Sequence, residues 1–387
     1  MAKIIAVDIR TRFLRDDQRC YIVFPGDGYR YYSTMKRDGV VFLDTPGFPF
    51  DPKEDLRRAK DLAERVVVSD RISQWHRNGS PVDKQPPRRV ADLRNYKITK
   101  SRQQFAGVVR GFFHQIQAGD IIIVPPQGYD DDVLFGEVTA DNPTLISVPQ
   151  YQDELIPARK VRWMATVPRG EIPSWLERKI PSPNPVRQIE KNYFTDIFDI
   201  MYERYYYDGN FVCKFNVRSE EFSSLDNFLF QQIVLYAAAL HENNQEGNIG
   251  DISTTAISIV VSQLGFSEDI PDQRISINSP GHIVVYSKNI IPLVAGVFMA
   301  LSALSSSAAD IHKIPIVIEN SADSSQISSE CVSDIQEEVM EDMVAMGYQR
   351  WQELCTIEAQ ARKRTQISSG VEAKPAEQAP KGDRLTK

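Results

Sequence analysis

The chain has few cysteines and no grouped metal ligands. Its 387 residues include four cysteines and five histidines, which are scattered along the sequence. No cysteine pair has the spacing of a zinc site or a disulfide framework, and no two histidines have the i, i+4 spacing of a helical metalloprotease site. We therefore expect no bound metal and a reducing, cytoplasmic setting. The cysteines are Cys20, Cys213, Cys331 and Cys355.

Two further signals are missing. The sequence contains no glycine-rich phosphate loop of the Walker type, so it does not predict ATP or GTP hydrolysis, and nothing in it calls for a cofactor. Charges at Asp8, Arg10 and Arg12 interrupt the N-terminus before a long apolar run can develop, which does not fit a secretory signal. With 42% apolar and 25% charged residues, the chain has the composition of a globular protein.

The net charge of −7 is unevenly distributed. Residues 1–190 hold 30 Lys and Arg against 25 Asp and Glu, a balance of +5, and the rest of the chain holds 15 against 27, a balance of −12. A basic half joined to an acidic half indicates that one half faces a polyanion. The alternative is an uneven distribution of surface charge without a binding role, because a net charge of +5 is less than is usual for nucleic-acid binders.

The length suits two domains rather than one. The segment Pro181-Ser182-Pro183-Asn184-Pro185 can continue neither a helix nor a central strand, so we place a boundary near residue 190. The predicted division is a first domain over residues 1–190, an α+β domain over residues 191–364 and a disordered tail over residues 365–387.

Strand and turn patterns dominate the first domain. Residues 21–24 and 29–32 flank a Pro/Gly/Asp turn, which predicts a hairpin. A helix is predicted over residues 101–117 from apolar side chains at helical spacing. After it, a Gly119-Asp120 turn leads into an apolar strand. Two further strands contain Phe135-Gly136-Glu137-Val138 and Arg159-Lys160-Val161-Arg162-Trp163, and Pro168-Arg169 and Ile172-Pro173 precede a short helix at residues 174–176.

This order of elements, together with an upstream strand at residues 39–43, resembles the N-terminal module of some Mrr-type restriction endonucleases and related prokaryotic defence proteins, which is similar to EVE and PUA-like domains. The resemblance covers about residues 20–190. It implies an α+β protein with an N-terminal PUA/EVE-like β-barrel and flanking helices, followed by a mixed α+β, helix-rich C-terminal domain. The barrel of such proteins binds DNA or RNA, in several relatives by accepting an extruded and often modified base.

The resemblance suggests two groups of binding residues. A flipped base stacks on aromatic faces, and Arg and Lys hold the flanking phosphates. The aromatic pocket candidates are Tyr29, Tyr31, Phe48 and Trp75, and the phosphate candidates are Arg159, Lys160, Arg162 and Arg169.

These candidates also have structural interpretations. In an alternating strand Lys160 and Arg162 face away from Val161 and Trp163, which favours solvent for the basic pair and the core for the tryptophan. The tyrosines of the predicted hairpin fit cross-strand packing as well as a pocket. The run Asp130-Asp131-Asp132 fits a solvated loop tip better than a metal site, because consecutive carboxylates do not converge on one ion.

The second domain contains a long uncharged segment, residues 289–309, from Asn289 to Ala309. Its length would span a bilayer, but serines shorten the strongly apolar part. A buried core helix is therefore the favoured interpretation, and membrane insertion is the rival. Residues 275–277 and 282–286 predict a hairpin, and a long helix is predicted over residues 331–363.

The functional prediction is a non-enzymatic sensor that binds DNA or RNA and reads modified or foreign DNA in anti-phage defence. The second domain would then act as an effector, form a homo-oligomer or recruit a co-encoded defence partner. An Mrr-type nuclease requires an acidic residue on one strand and a Glu-x-Lys triplet on the next, and we recognise no such strand pair from the sequence. A restriction-type nuclease with an unrecognised active site in the second half is one alternative. A structural or assembly protein without a nucleic-acid role is another.

Overall fold

The computed structural model describes residues 4–51, 54–56, 58–151, 154–181, 184–246, 255–264, 270–276, 281–304, 315–323 and 325–376. They form a mixed α+β fold that divides into two compact units. The inserted unit comprises residues 17–201, and the discontinuous unit comprises residues 1–16 and 202–387. The predicted division at residue 190 therefore differs from the structural one, because the N-terminal segment belongs with the C-terminal half.

The described strands and helices are numbered in chain order. The strands are β1 (Ile4–Asp8), β2 (Arg12–Phe13), β3 (Cys20–Val23), β4 (Val40–Phe42), β5 (Ile121–Val124), β6 (Asp132–Val138), β7 (Thr144–Ser147), β8 (Leu155–Pro168), β9 (Val186–Gln188), β10 (Arg204–Tyr207), β11 (Asn210–Val217), β12 (Asp272–Ser276), β13 (Gly281–Ser287), β14 (Ile316–Glu319) and β15 (Glu372–Ala376). The helices are α1 (Tyr32–Asp38), α2 (Leu62–Arg77), α3 (Lys100–His114), α4 (Ser174–Lys179), α5 (Phe194–Met201), α6 (Ser224–Glu246), α7 (Ile257–Gln263), α8 (Ile291–Leu304) and α9 (Gln326–Thr365).

The inserted unit is built on one sheet with the order β4-β8-β6-β5-β3-β9, in which β7 also pairs with β8. Strands β3 and β5 are parallel, and the other neighbouring pairs are antiparallel. All four residues of β5 are buried, as expected for an apolar run covered on both faces. Helix α3 packs its Val109 and Phe112 into the same core, which confirms the predicted helix and the strand that follows it.

Residues 29–32 do not form the second strand of the predicted first hairpin. After β3 the chain makes a 3-10 turn at Asp27–Tyr29 and enters α1. The φ angles of Gly26, Gly28 and Tyr29 are 76°, 61° and 58°. These left-handed backbone angles do not occur in an extended strand. Residues 29–32 therefore belong to a turn and to the start of a helix.

The pairing of β6 with β8 is irregular at Gly136, where Met164 of β8 is skipped in the register. The register of the two strands shifts between Phe135 and Gly136, an irregularity that bends a strand and increases its twist. A Cβ atom at Gly136 would lie 2.5 Å from Val161 Cγ1 and 2.7 Å from Trp163 Cε3. The close approach of β6 and β8 therefore requires glycine at this position.

We expect Gly136→Ala to destabilise the protein by about 1–3 kcal/mol, the usual cost of inserting a methyl group into a packed core. Thermal unfolding of the full chain measures the effect. Gly107→Ala is the matched control, because a Cβ at this glycine of α3 meets no atom within 4 Å, and alanine favours a helix interior over glycine. An unchanged melting temperature for Gly136→Ala would contradict the packing described for β6 and β8.

The discontinuous unit contains two sheets, in the orders β14-β1-β15 and β12-β13-β11-β10-β2. Strand β1 pairs parallel with β14 and antiparallel with β15, so the N-terminal strand is held between two strands of the C-terminal half. Strand β15 occupies part of the predicted disordered tail, and residues 377–387 lie outside the described residues. The predicted hairpin of the second domain is confirmed by the pairing of β12 with β13.

Helix α8 forms the buried centre of the discontinuous unit. Every residue from Ile291 to Ser302 is buried, in a core shared with α6 and α9. This confirms the core-helix interpretation of the uncharged segment, whose residues 305–309 lie outside the described part. Within the ranges that the structure describes, we find no helix long and apolar enough to cross a membrane. The predicted helix over residues 331–363 is contained in α9, which has a kink at Gly347.

Asp342 is a fully buried carboxyl group in α9. Its Oδ1 accepts a hydrogen bond of 2.6 Å from Asn244 Nδ2, and its Oδ2 has no hydrogen-bond partner among the described residues. Burial, and then the charge of Glu338, raise the pKa of this carboxyl well above its ordinary value. The bond from Asn244 opposes the shift, and Glu341 adds to it.

We expect Asp342→Asn to weaken the pH dependence of stability. A carboxyl group whose pKa is raised by folding stabilises the fold below its unfolded pKa, and this contribution is lost as the pH rises through the folded pKa. The wild-type melting temperature should therefore fall more steeply than that of the variant as the pH rises above the ordinary carboxyl pKa of about 3.9. Asp334→Asn, which changes an exposed residue of the same helix, is the control. Equal slopes for the wild type and Asp342→Asn would contradict this account.

Candidate nucleic-acid site in the inserted unit

Two clefts of the inserted unit share Asp44 and Phe105 as lining residues. The first, of about 410 Å³, is lined by α2, by the start of α3 and by the residue before it, and the second, of about 420 Å³, is lined largely by the loop after β3. Both volumes fall within the range of about 300–1,000 Å³ that is typical of small-ligand sites. The first is lined by Asp44, Val66, Ser69, Asp70, Ser73, Arg77, Thr99, Ser101, Arg102 and Phe105. The second is lined by Phe24, Gly26, Asp27, Gly28, Tyr29, Leu43, Asp44, Phe105, Asn184 and Pro185.

Asp44 follows strand β4 and is held by three side chains. Its Oδ1 accepts hydrogen bonds from the hydroxyls of Tyr31 and Tyr151, at 2.7 and 2.8 Å, and its Oδ2 pairs with Arg30. The Tyr151 hydroxyl also lies 2.9 Å from Ser73 Oγ. A carboxylate has about four acceptor positions, so the three bonds fix Asp44 and leave room for one further donor.

In this network Tyr31 keeps its proton and Arg30 keeps its positive charge. Burial, and then the charge of Asp44, raise the pKa of Tyr31, so its hydroxyl remains a donor. Burial alone would lower the pKa of Arg30, but Asp44 and the tyrosines outweigh it and the pKa is raised. Arg77 Nη2 lies 3.6 Å from Asp44 Oδ2. The clefts therefore present a fixed acceptor beside cationic donors, a combination suited to the polar edge of a nucleobase.

Aromatic residues line the second cleft together with Asp44. Tyr29 is one of the predicted pocket residues, and Phe105 projects from α3. Tyr29 adopts a positive φ of 58°, which is uncommon for a bulky residue and costs conformational energy. Tyr29 thus lies at the cleft in a strained backbone conformation.

The first cleft is bordered by a basic segment, residues 71–110, which contains ten Lys and Arg and only two Asp. Six of the ten residues that line the first cleft belong to this basic segment. Eight of its cationic side chains are exposed, which places a concentration of positive charge next to the cleft. They are Arg77, Lys84, Arg88, Arg89, Arg94, Lys97, Lys100 and Arg110.

The three other predicted pocket residues have structural roles. Phe48 is 4% exposed and belongs to the core of the inserted unit, so its ring is not open to a base. Trp75 is half-buried near the end of α2, where its Nε1 donates to the Pro81 carbonyl at 2.8 Å. Arg88 lies over its ring. Trp75 therefore fixes the chain that leaves α2. Tyr31 is buried and serves as a donor to Asp44.

Two of the predicted phosphate contacts are engaged within the fold. Arg159 is 1% exposed, and its guanidinium donates to the backbone carbonyls of Phe113 and Asp141. Arg169 pairs with Glu177 at 3.0 Å and donates to two backbone carbonyls. The prediction for Arg159 is wrong because the strand turns this side chain inward, where it satisfies carbonyl groups that would otherwise lack donors.

Lys160 and Arg162 are exposed on β8, as strand alternation predicts, and Arg162 pairs with Glu137 at 2.8 Å. Trp163 is half-buried against the core and its Nε1 donates to the carbonyls of Met35 and Lys36. Lys160 and Arg162 line neither cleft. Their role as phosphate contacts stays a prediction.

The sequence interpretation missed Asp44, Phe105 and the basic segment. A charge count in a short window would have found the basic segment, because its cations outnumber its acids five to one. Asp44 gives no such signal, since its partners Tyr31 and Tyr151 are far apart in sequence.

A charged cluster lies on one face of the β14-β1-β15 sheet of the discontinuous unit. Asp8 is in register with Glu319 on β14 and with Glu372 on β15. Lys374 lies two positions after Glu372 and shares its face. Glu372-Ala373-Lys374 is a Glu-x-Lys triplet beside an acidic strand residue, which the sequence interpretation overlooked because it assigned these residues to the tail. Among the residues described, no group of three or more His, Cys, Asp or Glu is placed to hold a metal ion.

Comparison of the chain with models of known protein families, with curated proteins and with solved structures found no match.

Proposed function

We propose that the inserted unit binds nucleic acid and accepts one unpaired base in the clefts at Asp44. The observation that carries the proposal is that the fixed Asp44 carboxylate lines one cleft together with Tyr29 and Phe105 and lines the other together with residues of the basic segment. The aromatic rings offer stacking surfaces, and Asp44 offers an acceptor for an N–H group of the base. The exposed cations of the basic segment neutralise the neighbouring phosphates.

Because the Asp44 carboxylate is recessed, a base is favoured over a phosphate as the group that enters the clefts. Asp44 is about one-fifth exposed, and a phosphate at its Oδ2 would meet a like charge. A base brings no charge and supplies donors. The exposed cations of the basic segment hold the nucleic-acid backbone on either side of that base.

The finer identity of the unit rests on its resemblance to EVE and PUA-like modules. We propose that the bent sheet of the inserted unit is a barrel of this type, and that the protein senses modified or foreign DNA in anti-phage defence. On this proposal the discontinuous unit supplies oligomerisation, a partner surface or an effector function.

Fluorescence anisotropy of the full chain with labelled DNA and RNA tests the proposal. The affinity should fall as salt is raised from about 50 to 200 mM, because phosphate contacts release counterions. Absence of binding to both nucleic acids at the lower salt concentration would eliminate this function.

The cluster at Asp8 supports a second candidate, a metal-dependent nuclease in the discontinuous unit. Burial would raise the pKa of Asp8, but hydrogen bonds from Ser321 and Arg10 outweigh it and lower the pKa, so the group is a carboxylate. Glu372 lies opposite Asp8 in the sheet, and Lys374 shares their face. Arg10 pairs with both acids, at 3.4 and 2.7 Å, which favours an ordinary charged sheet surface instead.

Incubation of the full chain with plasmid DNA and Mg²⁺ or Mn²⁺ separates these interpretations. The nuclease candidate predicts cleavage that is lost in Glu372→Gln and in Lys374→Met. Intact plasmid with the wild type under both conditions would remove the candidate and leave the binding proposal unaffected.

A further inference from the structure

Tyr96 is an exposed aromatic residue within the basic segment. Its side chain is 41% exposed in the chain between α2 and α3. Arg94, Lys97 and Lys100 surround it in sequence, and all three are exposed. Aromatic rings among basic side chains are a common arrangement for binding single strands, because every base has a face that can stack.

The backbone on both sides of Tyr96 is held in place. Arg71 of α2 donates to the Arg94 carbonyl at 3.0 Å, and Arg102 of α3 donates to the Lys97 carbonyl at 3.0 Å. Leu93 is buried in a small apolar cluster with residues of α2. Long exposed loops usually lack such attachments, so Tyr96 is presented by a fixed backbone.

The residue before Tyr96 has a left-handed backbone conformation. Asn95 has a positive φ of 49°, in the left-handed region that asparagine tolerates better than most residues. The chain after Tyr96 leads directly into the first cleft, since Thr99 and Arg102 line that cleft. Tyr96 therefore precedes the cleft residue Thr99 by a few positions in the sequence and has exposed cations on both sides of it in the chain.

We propose that the ligand of this site is single-stranded nucleic acid, with one base in the clefts at Asp44 and a second base stacked on Tyr96. This inference rests on the proposed function and specifies its substrate class. A duplex keeps its bases stacked on each other, so it can use the cations of the basic segment but not the Tyr96 ring.

Binding of the full chain to single-stranded and duplex oligonucleotides of the same mixed sequence, as DNA and as RNA, tests this inference. The single strands should bind more tightly than the duplexes. Tyr96→Ala should weaken single-strand binding by roughly 5- to 160-fold, the range for losing one stacked base, and leave duplex binding unchanged. Tyr96→Phe keeps the ring and should restore most of the affinity.

Tyr129→Ala is the matched control, because Tyr129 is a 62% exposed tyrosine of the same unit that lies outside both clefts and the basic segment. It should leave single-strand binding unchanged. Equal effects of Tyr96→Ala and Tyr129→Ala, or duplex binding as tight as single-strand binding, would overturn the inference while the proposed function stands. Failure of the wild type to bind any of the oligonucleotides would overturn both.

Discussion

Replacing Lys84, Arg89, Lys97 and Lys100 by glutamine in one variant should lower the affinity for single-stranded DNA by on the order of 100-fold at low salt. These side chains are exposed and make no side-chain bond to another residue of the described part, so their loss should leave the fold intact. Each lost phosphate contact reduces the slope of log affinity against log salt by about 0.7 for single strands. The slope should therefore decrease by up to about 3 in the variant.

The control carries the same change of charge elsewhere on the inserted unit, at Lys60, Lys160, Arg162 and Arg178. All four are exposed, and none belongs to the basic segment. This control should bind almost as the wild type does. A larger loss of affinity in the control than in the first variant would contradict the proposed site and favour the contacts on β8 that the resemblance suggests.

A second large effect is expected in the discontinuous unit, where Trp351→Ala should lower the free energy of unfolding by about 3–5 kcal/mol. Trp351 is fully buried in α9 and its ring lies 6.4 Å from that of Phe298 of α8, measured between centroids. Its Nε1 has no hydrogen-bond partner among the described residues. The loss should therefore come from packing, and Trp351→Phe should be much milder than Trp351→Ala.

Denaturant unfolding measures this prediction, with Tyr348→Ala as the control. Tyr348 precedes Trp351 on the same helix but is 42% exposed, so removing its ring should cost less than about 1 kcal/mol. Similar losses of unfolding free energy in the two alanine variants would contradict the packing of Trp351 in α9 against α8.

Elements with strong local patterns could be predicted from the sequence. Helix α3 has an apolar stripe and a capping threonine, β5 is a short apolar run after a turn, and α8 is an uncharged segment of core length. Each carries its information within a short window. The division of the chain could not be predicted in this way, because β1 pairs with β14 and β15 across more than 300 residues.

The candidate site shows the same limit. Tyr29 was predicted as a pocket residue at the start of a strand, whereas the structure places it in a 3-10 turn, so the predicted hairpin around it is wrong. Arg159 and Lys160 are neighbours of the same chemical class, yet one is buried and the other exposed. Composition does not distinguish them, and strand alternation does so only once the strand is known to have a buried face. Asp44 becomes a candidate only when folding brings two tyrosines and an arginine to it.

Photochemical crosslinking tests the central claim most directly, that an unpaired base enters the clefts at Asp44. The full-length chain is irradiated with a single-stranded oligonucleotide that carries 5-iodopyrimidines, and crosslinked peptides are identified by mass spectrometry. The account predicts crosslinks at Tyr29 or Phe105, the rings that line the second cleft. Crosslinks confined to β8 or to the discontinuous unit would contradict it.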